Sequence, residues 1–240
     1  MVQYPLGVST HSKKALDRLQ QGPTNATLLK MNIRRNIARA IVFGSPKYGG
    51  LGLRNFYVEQ GLAQLLLFLR HIRANSEQGK LLRIALSWWQ LTAGLSWPLM
   101  QHTKQRLPHL DDTWLTSVRD FLGFIGGSLT ITEALFGMPQ PARRDDIFLM
   151  DAVVDLPGVT KQELASFNRV RMYFGVTLLS EISTAAGLDI TREAWTGTRR
   201  RHSPLLWPYQ PKPGPISFQS WRKLLNQAFL GDQNKRVSRR

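Results

Sequence analysis

The chain has no cysteine, which removes disulfides, thiolate metal sites and cysteine nucleophiles from consideration. Carboxylates are scarce as well: sixteen Asp and Glu face thirty-two Lys and Arg, for a formal net charge of +16. No long apolar run is present. The longest, Leu62 to Leu69, is interrupted by Gln64 and bounded by Glu59, Arg70 and Arg73. A membrane-spanning helix needs about twenty apolar residues, so no membrane role is expected. The opening residues, Met1-Val-Gln-Tyr-Pro5, lack the basic stretch and apolar core of a signal peptide. The expectation is an intracellular, soluble protein, and a nuclear location is compatible with it. His11, His71, His102, His109 and His202 show no metal-ligand spacing such as His-Glu-x-x-His. No Gly-x-Ser-x-Gly elbow occurs. Neither a cofactor nor a metal is expected.

What is present is charge at both ends. Residues 1–40 hold seven basic groups against Asp17, a net of +6. Residues 41–194 are nearly balanced at +1, and residues 195–240 hold ten basic groups against Asp232, a net of +9. Such asymmetry suits a polyanion, because each phosphate neutralised by Lys or Arg releases condensed counterions. An anionic membrane surface would attract the same groups, and a charge excess also keeps proteins soluble. The clustering favours an RNA or DNA backbone as partner.

Hydrophobic periodicity makes the fold mainly α: an irregular multi-helix bundle, with room for one short strand pair around residues 129–133, which alternate apolar and polar. Helices are expected over 9–21 (ended by Gly22-Pro23), 27–42, 55–74, 77–93 and from Asp111-Asp112 to Ile125. Further helices are expected over 160–173, 177–186 and 217–230, whereas 147–154 fits helix or strand equally. In the 27–42 helix, Leu28, Leu29, Ile33, Ile37 and Ile41 form the apolar stripe, and Lys30, Arg34 and Arg35 occupy much of the rest of the surface. The implied organisation is a helical domain over 1–140 containing the GGLGL turn and a smaller helical region over 141–203. A Pro-rich linker follows over 204–216, then a C-terminal helix over 217–231 and a disordered basic tail over 232–240.

Three constellations invite chemical readings. The Gly49–Gly52 cluster lacks the Gly-x4-Gly-Lys-Ser/Thr spacing of a phosphate loop. Bare amides opening a helix could still hold one phosphate, but a tight connection between helices is the better reading. Asp111-Asp112 is expected to cap a helix. Asp145-Asp146, with Asp151 and Asp155 following, is the one set from which a metal-dependent nuclease could be built, though solvated ion pairs fit better. Of the seven tryptophans, Trp88, Trp89, Trp114 and Trp221 sit at helical core spacing. Trp195 and Trp207 bracket Arg199-Arg200-Arg201, where they anchor a loop or stack a base beside the arginines. No catalytic function is expected.

The segment Arg39-Ala-Ile-Val-Phe-Gly-Ser-Pro-Lys-Tyr-Gly-Gly-Leu-Gly-Leu-Arg54, followed by Gln60 and a leucine-rich helix, resembles the region just downstream of the catalytic palm in reverse transcriptases of non-LTR (LINE-like) retrotransposons. Similar too are Trp114 with Arg119-Asp-Phe-Leu122, Asn168-Arg-Val-Arg-Met-Tyr173, Leu178-Leu-Ser-Glu-Ile182, Leu206-Trp-Pro208 and the Trp221-Arg222 helix. The resemblance spans roughly residues 10–230. It implies a thumb-like or connecting helical region that grips template and primer, as a fragment without the fingers and palm. No family catalytic residue has a matching position. The expected function is sequence-independent nucleic-acid binding through Lys30, Arg34, Arg35, Arg39, Arg199, Arg200, Arg201, Arg222 and Lys223, which would contact backbone phosphates. The alternative is an interaction fragment that packs on a separate polymerase core.

Overall fold

The computed structural model describes residues 6–131, 143–187, 189–198 and 210–229. Among them the protein is mainly helical: α1 Lys13–Lys30, α2 Arg39–Phe43, α3 Phe56–Arg73, α4 Glu77–Ala93, α5 Trp114–Phe124, α6 Leu149–Val154, α7 Lys161–Phe174, α8 Arg192–Thr196 and α9 Pro215–Phe229. No strand occurs among the described residues, where β-type pairing is confined to the isolated bridges Phe148–Leu178 and Ser183–Ile190. Residues 129–131 are irregular, and the remainder of the expected strand lies outside the described residues.

The chain divides into two compact units that interleave in sequence. One comprises Met1–Lys80 with Asp112–Gly127, the other Leu81–Asp111 with Ser128–Arg240. This partition differs from the expected boundary near residue 140. The C-terminal helix is no appendage either, because α9 packs along α7 within the second unit. There Trp221 is fully buried, stacks on Phe167 at 4.5 Å and donates from its indole nitrogen to the Ala194 carbonyl at 3.0 Å.

In the first unit α3 packs on α1 and α5 around Leu16, Leu28, Phe68, Val118 and Phe121. Three buried glutamines tie neighbouring backbone to this core, each using both ends of its amide. Gln60 accepts from the His11 amide and donates to the His11 carbonyl (3.1 and 3.0 Å). Gln64 donates to Ser9 O and accepts from the Ser117 hydroxyl. Gln20 donates to Arg54 O and accepts from the Phe56 amide. In the second unit Gln90 does the same for the turn after α4, bonding Leu95 O, Trp97 O and the Leu99 amide. A buried primary amide satisfied at both ends costs little and fixes a loop's position.

Several expected boundaries move. Gly22-Pro23 does not end α1, which runs through Pro23. Leu16, Gln20, Thr24 and Leu28 recur every fourth residue on one buried face, and that continuous burial carries the helix past the proline. The helix stops at Asn32 instead. This residue takes the left-handed conformation (φ 59°) while its own amide bonds Leu29 O and that of Ile33 bonds Leu28 O, a Schellman closure. The expected 27–42 helix is therefore broken over 31–38. The cap of α5 is Thr113, reciprocally bonded with Thr116, rather than the Asp pair. Residues 177–186 form a single 3-10 turn, Leu179–Glu181, because Glu181 folds back to accept from the Thr177 and Leu178 amides. Residues 147–154 resolve as the short helix α6. Trp88 is 42% exposed, since α4 buries Leu86, Trp89, Gln90 and Ala93 on its other side. The α3, α4 and α7 helices stand where the pattern puts them, and Asn55, Ser76 and Thr160 cap them.

Candidate nucleic-acid interface

The amino-terminal cations stand on a frame the buried glutamines hold. Gln60 fixes the strand entering α1, and Ser12 caps that helix by accepting from the Ala15 amide. Lys14 and Arg18 follow one turn apart on its exposed side. At the far end Lys30 closes α1. Arg34 and Arg35 lie in the irregular segment behind Asn32, and Arg39 begins α2. All six are exposed, and none makes an ion pair among the described residues. The break at Asn32 means that Lys30, Arg34, Arg35 and Arg39 do not share one helical face.

The fold does bring Arg39 back against α1. A groove of about 410 Å³ is lined by Lys13, Asp17, Gln20, Gln21 and Thr24 of α1 together with Arg39, Phe43, Asn55 and Phe124. Lys13 is held by Asp17 at 3.1 Å, so among the described residues Arg39 is the unpaired cation of that groove. Lys14 and Arg18 line a shallower depression on the adjoining side of the helix. Sequence reasoning counted these two in the basic terminus without assigning them to the site. Their i, i+4 spacing on the side away from Leu16 was the signal available.

In the glycine-rich loop between α2 and α3 the amides from Lys47 to Leu53 are spent internally. Lys47 N–H donates to the Ser45 hydroxyl, Tyr48 and Gly50 to Ser45 O, and Gly49 to Pro46 O. Leu51, Gly52 and Leu53 donate to Ile41, Gly44 and Val42 carbonyls at 2.8, 2.8 and 3.1 Å. Gly49 adopts φ 80°, and any Cβ on Gly50 would collide with the Gly44 carbonyl. The loop is a closed, self-satisfied turn, and its amides are not free to hold a phosphate.

Of the carboxy-terminal cations, Arg222 is half-buried on α9. Lys223 is bonded to Glu163, the same carboxylate that closes the capping box of α7. The Lys223 ammonium and the Thr160 donors hold the Glu163 carboxyl at about 2. Arg199, Arg200, Arg201 and Trp207 lie outside the described residues, as does the basic tail; Trp195 is half-buried on α8.

The aspartates considered for metal chemistry are employed separately. Asp146 accepts from both the amide and the hydroxyl of Ser180, Asp151 accepts from the Ser96 amide, and Asp155 accepts from Gln105. Asp145 is exposed. Among the described residues no cluster of three His, Asp or Glu could hold a metal ion. Nor, among them, is any helix long and apolar enough to cross a membrane. Compared with protein-family models, curated proteins and solved structures, the chain matches none.

Proposed function

We propose that this chain is a non-catalytic, sequence-independent module that holds the phosphate backbone of RNA or DNA, descended from the helical region downstream of a reverse-transcriptase palm. The observation carrying the reading is the state of the first unit's cations. That unit holds thirteen Lys and Arg against five carboxylates. Lys13 and Arg54 are ion-paired there, and Arg119 is buried. Lys14, Arg18, Lys30, Arg34, Arg35 and Arg39 are left exposed without a carboxylate among the described residues, on α1, the start of α2 and the irregular segment that joins them. Cations kept unpaired in this way retain their full attraction for phosphate and release counterions on binding.

Filter binding of single-stranded RNA and DNA across a salt series tests the proposal. The logarithm of affinity should fall linearly with that of salt, by about 0.7 for each single-strand phosphate engaged. Alanine at Lys14 and Arg18 together, or at Arg199, Arg200 and Arg201 together, should flatten the slope by about 0.7 for each lost contact. Lys223→Ala should leave it unchanged, since Glu163 already neutralises that ammonium. A flat salt dependence in the unaltered protein overturns the reading.

The second reading is an interaction fragment that packs on a separate polymerase core. Leu81, Ile84 and Trp88 on α4 favour it: they are exposed at i, i+3 and i+7, an apolar stripe within the second unit. It predicts salt-insensitive association with that core, and replacement of Ile84 and Trp88 by glutamine would abolish the association.

A further inference from the structure

Tyr48 is the most exposed large side chain among the apolar and aromatic residues described, at 82%. It ends the 3-10 turn Pro46–Tyr48, on the self-closed loop described above. An exposed aromatic ring on a flexible loop has little consequence. One on a turn whose seven successive amides, from Lys47 to Leu53, are all bonded inward is carried on a backbone already fixed before any ligand arrives. The Lys47 ammonium lies 5.5 Å from the ring centroid, over one face, and the other face is open.

The neighbourhood says what such a ring would meet. It belongs to the unit that carries thirteen cations against five carboxylates, and Arg39 stands at the start of the helix leading into the loop. A planar, open aromatic face next to a flexible ammonium is the minimal arrangement for stacking a base while neutralising the adjacent phosphate. From Lys47 to Leu53 the backbone offers no free amide to a ligand. Recognition at the loop's tip therefore falls to the two side chains.

We infer that Tyr48 is a base-stacking platform for single-stranded nucleic acid, with Lys47 as its phosphate-neutralising neighbour. The inference rests on the nucleic-acid reading above and adds to it a contact with the bases. Stacking tolerates any base, because every base presents a π-face, so the contact adds affinity without adding sequence preference.

The test compares the full-length protein on oligothymidylate and on an abasic strand of equal length, so that phosphates are constant and only bases differ. The unaltered protein should prefer the base-bearing strand by about 5- to 150-fold, the range that one stacked base supplies. Tyr48→Ala should erase that preference with the salt slope unchanged, Tyr48→Phe should preserve it, and Lys47→Ala should lower the slope by about 0.7 while leaving the preference intact. Tyr48 is solvent-exposed, and an unchanged circular dichroism spectrum would verify that its variants fold. A steep salt slope with no preference for bases, or with a preference that survives Tyr48→Ala, overturns this inference alone. A flat slope in the unaltered protein overturns the nucleic-acid reading and this inference with it.

Discussion

Asn168 and Arg171, one turn apart on α7, converge on a single acceptor, the carbonyl of Thr92, at 2.9 and 2.8 Å, and bond each other at 2.8 Å. Arg171 also donates to Leu91 O and Val176 O. The pair thus caps the carboxyl end of α4, whose last carbonyls have no partner within the helix. A cation there also meets the negative end of the helix dipole. Arg171 is fully buried, and desolvation depresses its guanidinium to about 9, with Glu181 pulling the other way. Arg171→Met would strand several buried carbonyls, each costing about 1–3 kcal/mol. The expected loss is about 3 kcal/mol or more, read from urea unfolding followed by tryptophan emission. Arg171→Lys should recover only part of it, because one ammonium cannot span the acceptors of a planar fork.

His109 seals the same helix end and makes stability depend on pH. Its Nε2 lies 3.3 Å from the Ala93 carbonyl oxygen, and its Nδ1 is buried with no hydrogen-bond partner among the described residues. Burial lowers its pKa from 6.5 to about 4; Arg171 pushes it the same way, and the Ala93 bond opposes both. The folded state therefore keeps the ring neutral where the unfolded chain protonates it. Stability is fully present above pH 6.5, falls as the pH drops from there towards about 4, and levels off once the native ring also protonates. Every tenfold difference in proton affinity between the folded and unfolded chain corresponds to about 1.4 kcal/mol. Urea midpoints measured between pH 7 and 4 should fall, and in His109→Gln that component of the fall should disappear.

The helical class and several caps were legible because they rest on local signals. Thr160 with Glu163, Ser76 before α4 and Asn55 before α3 each satisfy an amide within three residues of themselves. What was hidden depends on partners far along the chain. Gln60 reads as an ordinary polar residue until His11 lies against it, and Trp88 fits a core stripe until α4 turns its opposite side inward. The helix end at Asn32 was locally readable, because asparagine tolerates the left-handed conformation, but Gly22-Pro23 masked it. The same holds for the candidate interface. Charge at the amino terminus is plain in composition, whereas the return of Arg39 to the groove beside α1 requires the turn at Asn32.

The passage of α1 through Gly22-Pro23 has its own consequence for stability. Gly22 lies in an exposed helix interior, and beyond its own helix and chain neighbours a Cβ there would meet nothing within 4 Å. Glycine in such a position costs about 0.5–1 kcal/mol relative to alanine. Gly22→Ala is expected to stabilise the protein by less than that amount, measured by denaturant midpoint, because a Cβ on the helical residue before Pro23 crowds the proline ring. Were the helix to stop at Gly22, as the dipeptide alone suggests, the substitution would give no such gain.

Gly61 on α3 presents the opposite case, although it too is a helical glycine. It is buried, and a Cβ there would enter the ring of Phe121 on α5, itself 1% exposed. Phe121 is also packed edge-on by Tyr57, with centroids 6.0 Å apart, so its ring has little freedom to retreat. The gain in helix propensity from Gly61→Ala, about 1 kcal/mol, is then outweighed by overpacking, which typically costs about 1–3 kcal/mol. Phe121→Leu alone is also expected to destabilise, through the space it vacates. Combined, the two changes should cost less than their sum, because the new methyl occupies part of that space. A double-mutant cycle on unfolding free energies measures the coupling, which for residues in direct contact is about 0.5–3 kcal/mol. Strict additivity would mean that α3 and α5 do not meet at this pair.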